Sequence, residues 1–415
     1  MRLFDIPAYF YPEQISSSHL DDDMHWAFVK AGIKVELYAP TPCRGISKEQ
    51  RRKYKKKRIE KMFDGGLTVH RYPLFKESKS PVLRAFRYII QCIQQFNRGL
   101  FAKGARQCDV MFIGSTPPIH GATATLIKKI RRIPFVYNLQ DIFPDSLVGT
   151  NLAQRGDILW KIGRVIEDFT YRNADRIIVI SEDFKSNIMA KGVPEEKIEV
   201  VYNWVDENAV VPVPKGENPL FDEFCIDRDK FHVVYAGNLG NAQNIDVIVD
   251  AAKELVDNKD IEFLIFGTGG LKDQFEQKVR DYGIDNVRFF PLQPMERVGH
   301  VYGLGDVCVV SCKPGLGGAA MPSKMLSIMS AGRAVIASFD SGELTHILED
   351  NECGVYAPAG DVDAFVSLIR SLSSNRSRCD EMGCNARKLI LRRFTKDYGT
   401  SEYIRVIKEV CNNKG

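Results

Sequence analysis

The chain lacks any apolar run of the roughly 18–20 residues that a membrane-spanning helix needs, so a protein that does not cross a membrane is expected. Its opening residues, MRLFDIPAYFYP, lack the basic start and long apolar stretch of a secretory signal. There is no CxxC, and the ten cysteines form no regular framework. Reduced thiols in a cytosolic chain follow. HExxH, GxSxG and GxxxxGKS/T are all missing. The seven histidines show no paired spacing, so no metal site is expected. Loose DxD pairs include those at Asp227/Asp229 and Asp361/Asp363. The second opens a helix and reads as a cap, and the first lies beside a linker. No metal and no other cofactor is therefore expected.

What is present points to two α/β domains. The 415 residues exceed one ordinary core and suit two. Short β-rich runs alternate with helical stretches throughout. Strands are expected near 3–6, 35–39, 67–71, 110–114, 135–139, 176–180 and 199–202. A second series is expected near 233–236, 262–266, 287–290, 307–310 and 334–337. Several are continuously apolar, as in parallel strands covered on both faces. Helices are expected at 19–31, 83–103, 121–131, 245–257, 271–282 and 323–331. Residues 206–230 hold three prolines and no clear period, and read as a linker. The expected division is therefore 1–205, 206–395 and a last helix over 396–415. Two such doubly wound sheets bind ligands in a cleft at the carboxyl ends of their strands.

Glycine-rich turns mark the second half. YAGNLGNAQNID places Gly237, Asn238 and Gly240 between a strand and a helix, with Asn241 or Asn244 as a candidate cap. Such a turn presents free N–H groups to an anion. IFGTGGLKD repeats the device with Gly267 and Gly269. The spacing is not GxGxxG, so a dinucleotide fingerprint is not assigned. In GLGGAAMPSKMLSIMSAGRAVIAS, a glycine loop through Gly318 leads to Pro322, Ser323 and Lys324 at a helix start. Pro322 suits a first turn, and Ser323 is a candidate cap. Lys324 sits where a diphosphate would meet the positive helix end. A solvated surface lysine is the plainer reading. Glu343 follows a strand and a glycine; it faces either a sugar hydroxyl or its own helix dipole.

In the first half, NLQDIFPDS puts Asp141 beyond a strand end, where it would orient an acceptor hydroxyl or take its proton. Asp145 follows, with capping as its competing role. Ser115, Thr116 and His120 come from GSTPPIHGA, and Glu13 and Ser16–Ser18 from YFYPEQISSSHL. All are candidate cleft residues, although for His120 a structural role is the stronger reading.

Together these segments, with VISEDFKSNIMAKGVPEEKIEVVYNWVD and GELTHILEDNECGVYAPAGD, resemble the GT4 glycosyltransferases over nearly the whole chain. The flavour is that of bacterial capsule and O-antigen N-acetyl-fucosamine-type transferases. The resemblance implies the GT-B fold, two Rossmann-like doubly wound parallel-sheet domains facing across a cleft. It implies a UDP-sugar held by the C-terminal domain, an acceptor held by the N-terminal domain, retention of anomeric configuration and no metal. It also implies that the last helix returns to the first domain. Relatives carry two glutamates eight apart where this chain has Ala319 and Ser327, and a proline where it has Ala334. Ser323, Lys324 and Glu343 are then expected to share the sugar contacts. The same fold also serves sugar-nucleotide 2-epimerases, and an inactive nucleotide-sugar-binding partner is a third reading.

The charge is uneven. Residues 1–205 carry 33 Lys+Arg against 22 Asp+Glu, a balance of +11, and residues 206–415 carry 24 against 31, a balance of −7. KEQRRKYKKKRIEK at 48–61 includes Arg51, Arg52, Lys53, Lys55, Lys56, Lys57 and Arg58. Residues 81–106 add basic residues to a helical apolar row of Leu83, Phe86, Ile89, Ile90, Ile93, Phe96, Leu100 and Phe101. Such a helix lies on an anionic membrane surface or packs on its own sheet. No nucleic-acid reading module accompanies the charge. The expectation is an enzyme at the inner face of the cell membrane, acting on a polyprenyl-pyrophosphate-linked saccharide.

Overall fold

The computed structural model describes residues 1–13, 18–78, 80–146, 154–317 and 321–412, apart from the side chains of Ser18 and Pro81. The chain divides into two compact units, Met1–Tyr202 with Asp397–Gly415, and Asn203–Lys396.

Unit 1 is an eight-stranded sheet: β1 (Arg2–Asp5), β2 (Lys34–Pro40), β3 (Ile59–Met62), β4 (Leu67–Tyr72), β5 (Val110–Gly114), β6 (Phe135–Leu139), β7 (Arg176–Val179) and β8 (Ile198–Val200). Their order is β3-β4-β2-β1-β5-β6-β7-β8. All pairings are parallel except β3 with β4. The helices that frame it are α1 (Ser18–Lys30), α2 (Lys48–Lys56), α3 (Pro81–Phe101), α4 (Ile119–Arg131), α5 (Ile158–Asn173) and α6 (Glu182–Ala190). The central strands bury Leu3, Phe4, Val110, Ile113, Phe135 and Ile178 almost completely, as a sheet covered on both faces requires. The strand order reverses between β1 and β5, the place where such sheets hold ligands.

Unit 2 holds β9 (Phe231–Asn238), β10 (Ile261–Thr268), β11 (Val287–Phe290), β12 (Val307–Ser311), β13 (Ala334–Phe339) and β14 (Gly354–Pro358). The order is β11-β10-β9-β12-β13-β14, parallel throughout. Its helices are α7 (Asp246–Glu254), α8 (Lys272–Tyr282), α9 (Val298–Gly303), α10 (Ser323–Ser330), α11 (Glu343–Asp350), α12 (Val362–Ser373) and α13 (Arg376–Arg393). Phe231, Tyr235, Ile248, Phe263, Ile336 and Phe365 meet in one core. Here the order reverses between β9 and β12.

Helix α14 (Lys396–Asn412) belongs from Asp397 onward to unit 1. Tyr403 is its anchor. The hydroxyl donates to Asn138 Oδ1 at 3.0 Å, accepts from Gln140 Nε2 at 3.2 Å, and the ring meets Phe112 edge-on. Arg405 adds an ion pair to Glu199 at 2.7 Å.

Two strands escape the periodicity reading. β3 lies inside the basic run and alternates between exposed and half-buried residues at a sheet edge, so it has no apolar signature. β14 closes the other sheet edge and is only partly covered. Helix α3 turns part of its apolar row outward. Its inward face is polar: Arg87, Gln91 and Gln95 have no exposed surface. Arg87 and Gln95 donate to the carbonyls of Phe75 and Ile6. Leu83, Phe86, Ile89 and Ile93 face outward, Phe86 with 54% of its surface exposed. Exposed apolar side chains continue on α4 (Leu126, Ile130) and α5 (Ile158, Ile162, Val165).

Candidate functional site

In unit 2, strand β9 brings Tyr235 and Gly237 to the reversal point, and the first turn of α10 brings Lys324. Lys324 Nζ donates to Tyr235 Oη at 2.8 Å and lies 4.0 Å from the ring centre. Tyr235 Oη in turn donates to the Asn238 carbonyl at 2.8 Å. Among the described residues no carboxylate pairs with Lys324. Burial therefore pushes its ammonium down to about 7. A lysine in that state is charged by an arriving anion. Gly237 is required here, because its φ is +149° and a Cβ would stand 2.9 Å from Lys324 Nζ.

The other donor-side expectations fare unevenly. Pro322, not Ser323, is the N-cap of α10, and it supplies no side-chain bond. Ser323 is exposed, and Ser327 is half-buried one turn on. Neither Asn241 nor Asn244 caps α7, whose N-cap is Ile245. Asn241 accepts from Lys313 Nζ, while Asn244 adopts the left-handed conformation. Asn238 is exposed beside Gly240. Gly267 and Gly269 serve packing, since a Cβ on either would stand 2.4 Å from the Gly237 or Leu239 carbonyl oxygen. Gly318 and Ala319 lie outside the described residues. The glycine loop before them is moored by Gly317 N donating to Asp340 Oδ2 at 2.7 Å. Glu343 is buried in the first turn of α11. Asp361 caps α12, accepting from Ala364 N at 2.9 Å. Among the described residues no cluster of His, Cys, Asp or Glu suits a metal ion.

In unit 1, the ends of β1, β5 and β6 open a pocket of about 290 Å³, bordered by Asp5, Asp21, His25, Ser115, Asn138 and Gln140. His25 is buried between two acceptors. Nε2 meets Asp5 Oδ2 at 2.8 Å, and Nδ1 meets the Asp21 carbonyl at 2.6 Å. Burial opposes a charged ring, but the Asp5 hydrogen bond and the charges of Asp5 and Asp21 outweigh it and raise its pKa. Asp21 is pushed up to about 7 by burial, against the pull of His25 and with the push of Asp5. A carboxyl poised near neutrality inside a pocket suits proton exchange with a hydroxyl. Asp21 and His25 stand four apart on α1, a spacing legible in DDDMHW once the helix is placed. Asp5 had no such signal, because a strand-end aspartate looks like any turn residue.

Several acceptor-side expectations are corrected. Glu13 is buried and staples loops: its oxygens accept from the backbone N–H groups of Cys43, Arg44 and Phe10. His120 has no exposed surface, and burial drives its pKa down to about 3. It is a neutral packing residue of α4. Asp145 pairs with Lys191 at 2.8 Å and accepts from Asn187. Ser16 and Ser17 lie outside the described residues. Asp141 is exposed two residues past β6; the surrounding protein raises its pKa, and a Ser146 hydrogen bond opposes the rise. It does not border the pocket that Ser115 and Thr116 do.

The basic run also divides. Ser47 caps α2 reciprocally with Gln50. Arg51 is buried and donates to the carbonyls of Thr41, Pro42 and Leu74, so it is a structural strut. Lys57 pairs with Glu60 at 2.7 Å. Arg52, Lys53, Lys55, Lys56 and Arg58 remain exposed.

Known proteins share this architecture. The family profile described as Glycosyltransferase Family 4 matches residues 22–209, and that of Glycosyl transferases group 1 matches residues 218–389. The chain is 26% identical to the probable glycosyltransferase WbjE of Pseudomonas aeruginosa over 297 residues, 71% of this chain and 72% of WbjE. It is 27% identical to the putative colanic acid biosynthesis glycosyl transferase WcaI of Escherichia coli K12 over 313 residues, 74% of this chain and 76% of WcaI. The structure of Anabaena HepE in complex with UDP superposes with a TM-score of 0.72 at 15% identity, covering 99% of this chain and 100% of HepE. With one profile on each unit, two doubly wound parallel-sheet domains and relatives of this kind, the chain belongs to the family 4, group 1 glycosyltransferases.

Proposed function

We propose that this glycosyltransferase moves an amino or deoxyamino sugar from a UDP-sugar to a lipid-pyrophosphate-linked saccharide, in the assembly of a surface polysaccharide such as capsule or O-antigen. Transfer is retaining and independent of metal. The observation that carries the donor half is Lys324, an ammonium without a carboxylate partner among the described residues, set at a helix start where the strand order reverses. UDP in the HepE structure supports the choice of nucleotide. The names of WbjE and WcaI support the polysaccharide setting.

In this reading the acceptor occupies the pocket of unit 1, its hydroxyl bonded to Asp21, with Asp141 available to position the remainder. The hydroxyl oxygen joins the anomeric carbon, the bond from that carbon to the diphosphate breaks, and the proton passes to the carboxylate. Lys324 stabilises the charge that develops on the departing diphosphate. The exposed row of α3 and the exposed cations of α2 support a position for the enzyme on the inner face of the cell membrane. No described helix is long and apolar enough to cross one.

The test is UDP release from a panel of UDP-sugars, with and without lipid-linked acceptor. Release that requires acceptor is expected. Silence with every sugar nucleotide would overturn the donor assignment, and conversion of the sugar without acceptor would instead indicate a 2-epimerase.

A further inference from the structure

Between α2, the segment after β4 and α3 lies an open cavity of about 1120 Å³. Arg52, Lys55, Arg58 and Lys76 border it from the exposed side, Arg71 borders it from beneath, and no Asp or Glu borders it. None of the four outer cations has a carboxylate partner among the described residues. Such a concentration of charge repels itself unless an anion enters.

Arg71 is the second observation. Only 1% of its side chain is exposed. Nη2 donates to the Tyr11 carbonyl, while Nε and Nη1 have no acceptor. Its carboxylate partner is Glu60, in a long ion pair at 3.7 Å. The ring of Tyr54 lies 4.8 Å from the guanidinium and accepts no conventional hydrogen bond. That one long pair leaves guanidinium donors unsatisfied, and a further oxyanion would complete them. A phosphate offers several oxygens in the geometry that arginine fits.

The cavity also has an apolar flank. Ile90 of α3 and Phe75 border it, and the Phe75 ring lies 6.3 Å from that of Phe86, on the exposed row. Anionic pocket and apolar strip thus adjoin, the pattern that an amphiphile fits. We infer that the cavity binds the phosphate or diphosphate group of a membrane amphiphile, with its apolar part laid along α3. The site is distinct from Lys324 and from the Asp21 pocket, and it rests on the membrane placement proposed above.

The experiment uses the full chain with saturating UDP, so that the Lys324 site is occupied. Calorimetry with inorganic pyrophosphate measures the cavity. Flotation with phosphatidylcholine vesicles, with and without phosphatidylglycerol, measures the lipid source. Arg71→Met should weaken pyrophosphate about tenfold or more. The exposed pair Arg52→Ala/Lys55→Ala should do the same without touching the core. Both should also lose the preference for anionic vesicles. Phe86→Ser/Ile89→Ser should lose flotation and keep pyrophosphate binding. Unchanged pyrophosphate affinity in both cation variants overturns the site. Pyrophosphate binding without any preference for anionic vesicles overturns the lipid source, while acceptor-dependent UDP release would still stand by itself.

Discussion

An ammonium that titrates near 7 is neutral in part of the population at working pH and becomes fully charged beside a diphosphate. Among the described residues Lys324 has no carboxylate partner and is held by a tyrosine, so under the proposed function binding and protonation are coupled there. Above pH 7, UDP binding should take up a proton, read as a dependence of calorimetric enthalpy on buffer ionisation. Lys324→Met should abolish that uptake and weaken UDP about tenfold or more. The stability effect follows the same sign. Between about 7 and 10.5 the unfolded chain holds a proton that the folded one does not, so stability rises with pH through that window. Asp21 acts in the opposite direction. Its folded pKa of about 7 stands above the ordinary aspartate value of 3.8, so stability falls as pH rises from about 4 to 7. Asp21→Asn should match wild type in thermal unfolding near pH 4 and exceed it above pH 7, while acceptor-dependent turnover drops. Equal melting temperatures at both pH values would remove the buried acid from the account.

At the level of elements, α3 and α14 show that a helix's role depends on which face turns inward. Helix α3 buries an arginine and two glutamines and exposes much of its apolar row, so those exposed members contribute little to the fold of unit 1. On entering an apolar phase, each half-exposed side chain would contribute on the order of 1 kcal/mol. Helix α14 is an ordinary packing helix, and its Tyr403 holds Asn138 and Gln140 at the edge of the unit 1 pocket. Tyr403→Phe removes one donor and one acceptor contact. It should cost about 1–2 kcal/mol in chemical denaturation and raise the acceptor KM more than it changes UDP affinity. An unchanged acceptor KM would make the contact purely structural. The helical spacing of residues 81–101 was legible, whereas the direction of its apolar face was not. Direction depends on carbonyls at Ile6 and Phe75, which are distant in sequence and need polar partners.

For the molecule as a whole, the positive charge of the first half is a local feature. Part of it is internal, in Arg51 and Arg71, and part is paired, as in Lys57. Four of the exposed cations, Arg52, Lys55, Arg58 and Lys76, border one cavity beside one apolar strip. Vesicle binding should therefore weaken as salt rises from about 0.05 to 0.5 M, where the Debye length falls below about 10 Å. The Arg52→Ala/Lys55→Ala pair should flatten that dependence. Binding that ignores salt would assign the interaction to the apolar row alone.

The sequence by itself determined the two doubly wound domains. Apolar strand runs, helical periods and glycine turns are local signals, and each element's neighbours agree with it. It also singled out Lys324, because glycine loop, proline and lysine converge within a few residues. Only the tertiary structure decided which polar residues are free to act. Glu13, His120 and Asp145 looked available and are consumed by packing or pairing, while Asp5, Asp21 and His25 come together from two separate elements. Arg71, at the end of an expected strand, proves to be buried at the foot of the basic cavity and paired at long range with Glu60. Burial and pairing are properties of contacts across the chain, and these set whether a charged side chain is held in place or poised for a ligand.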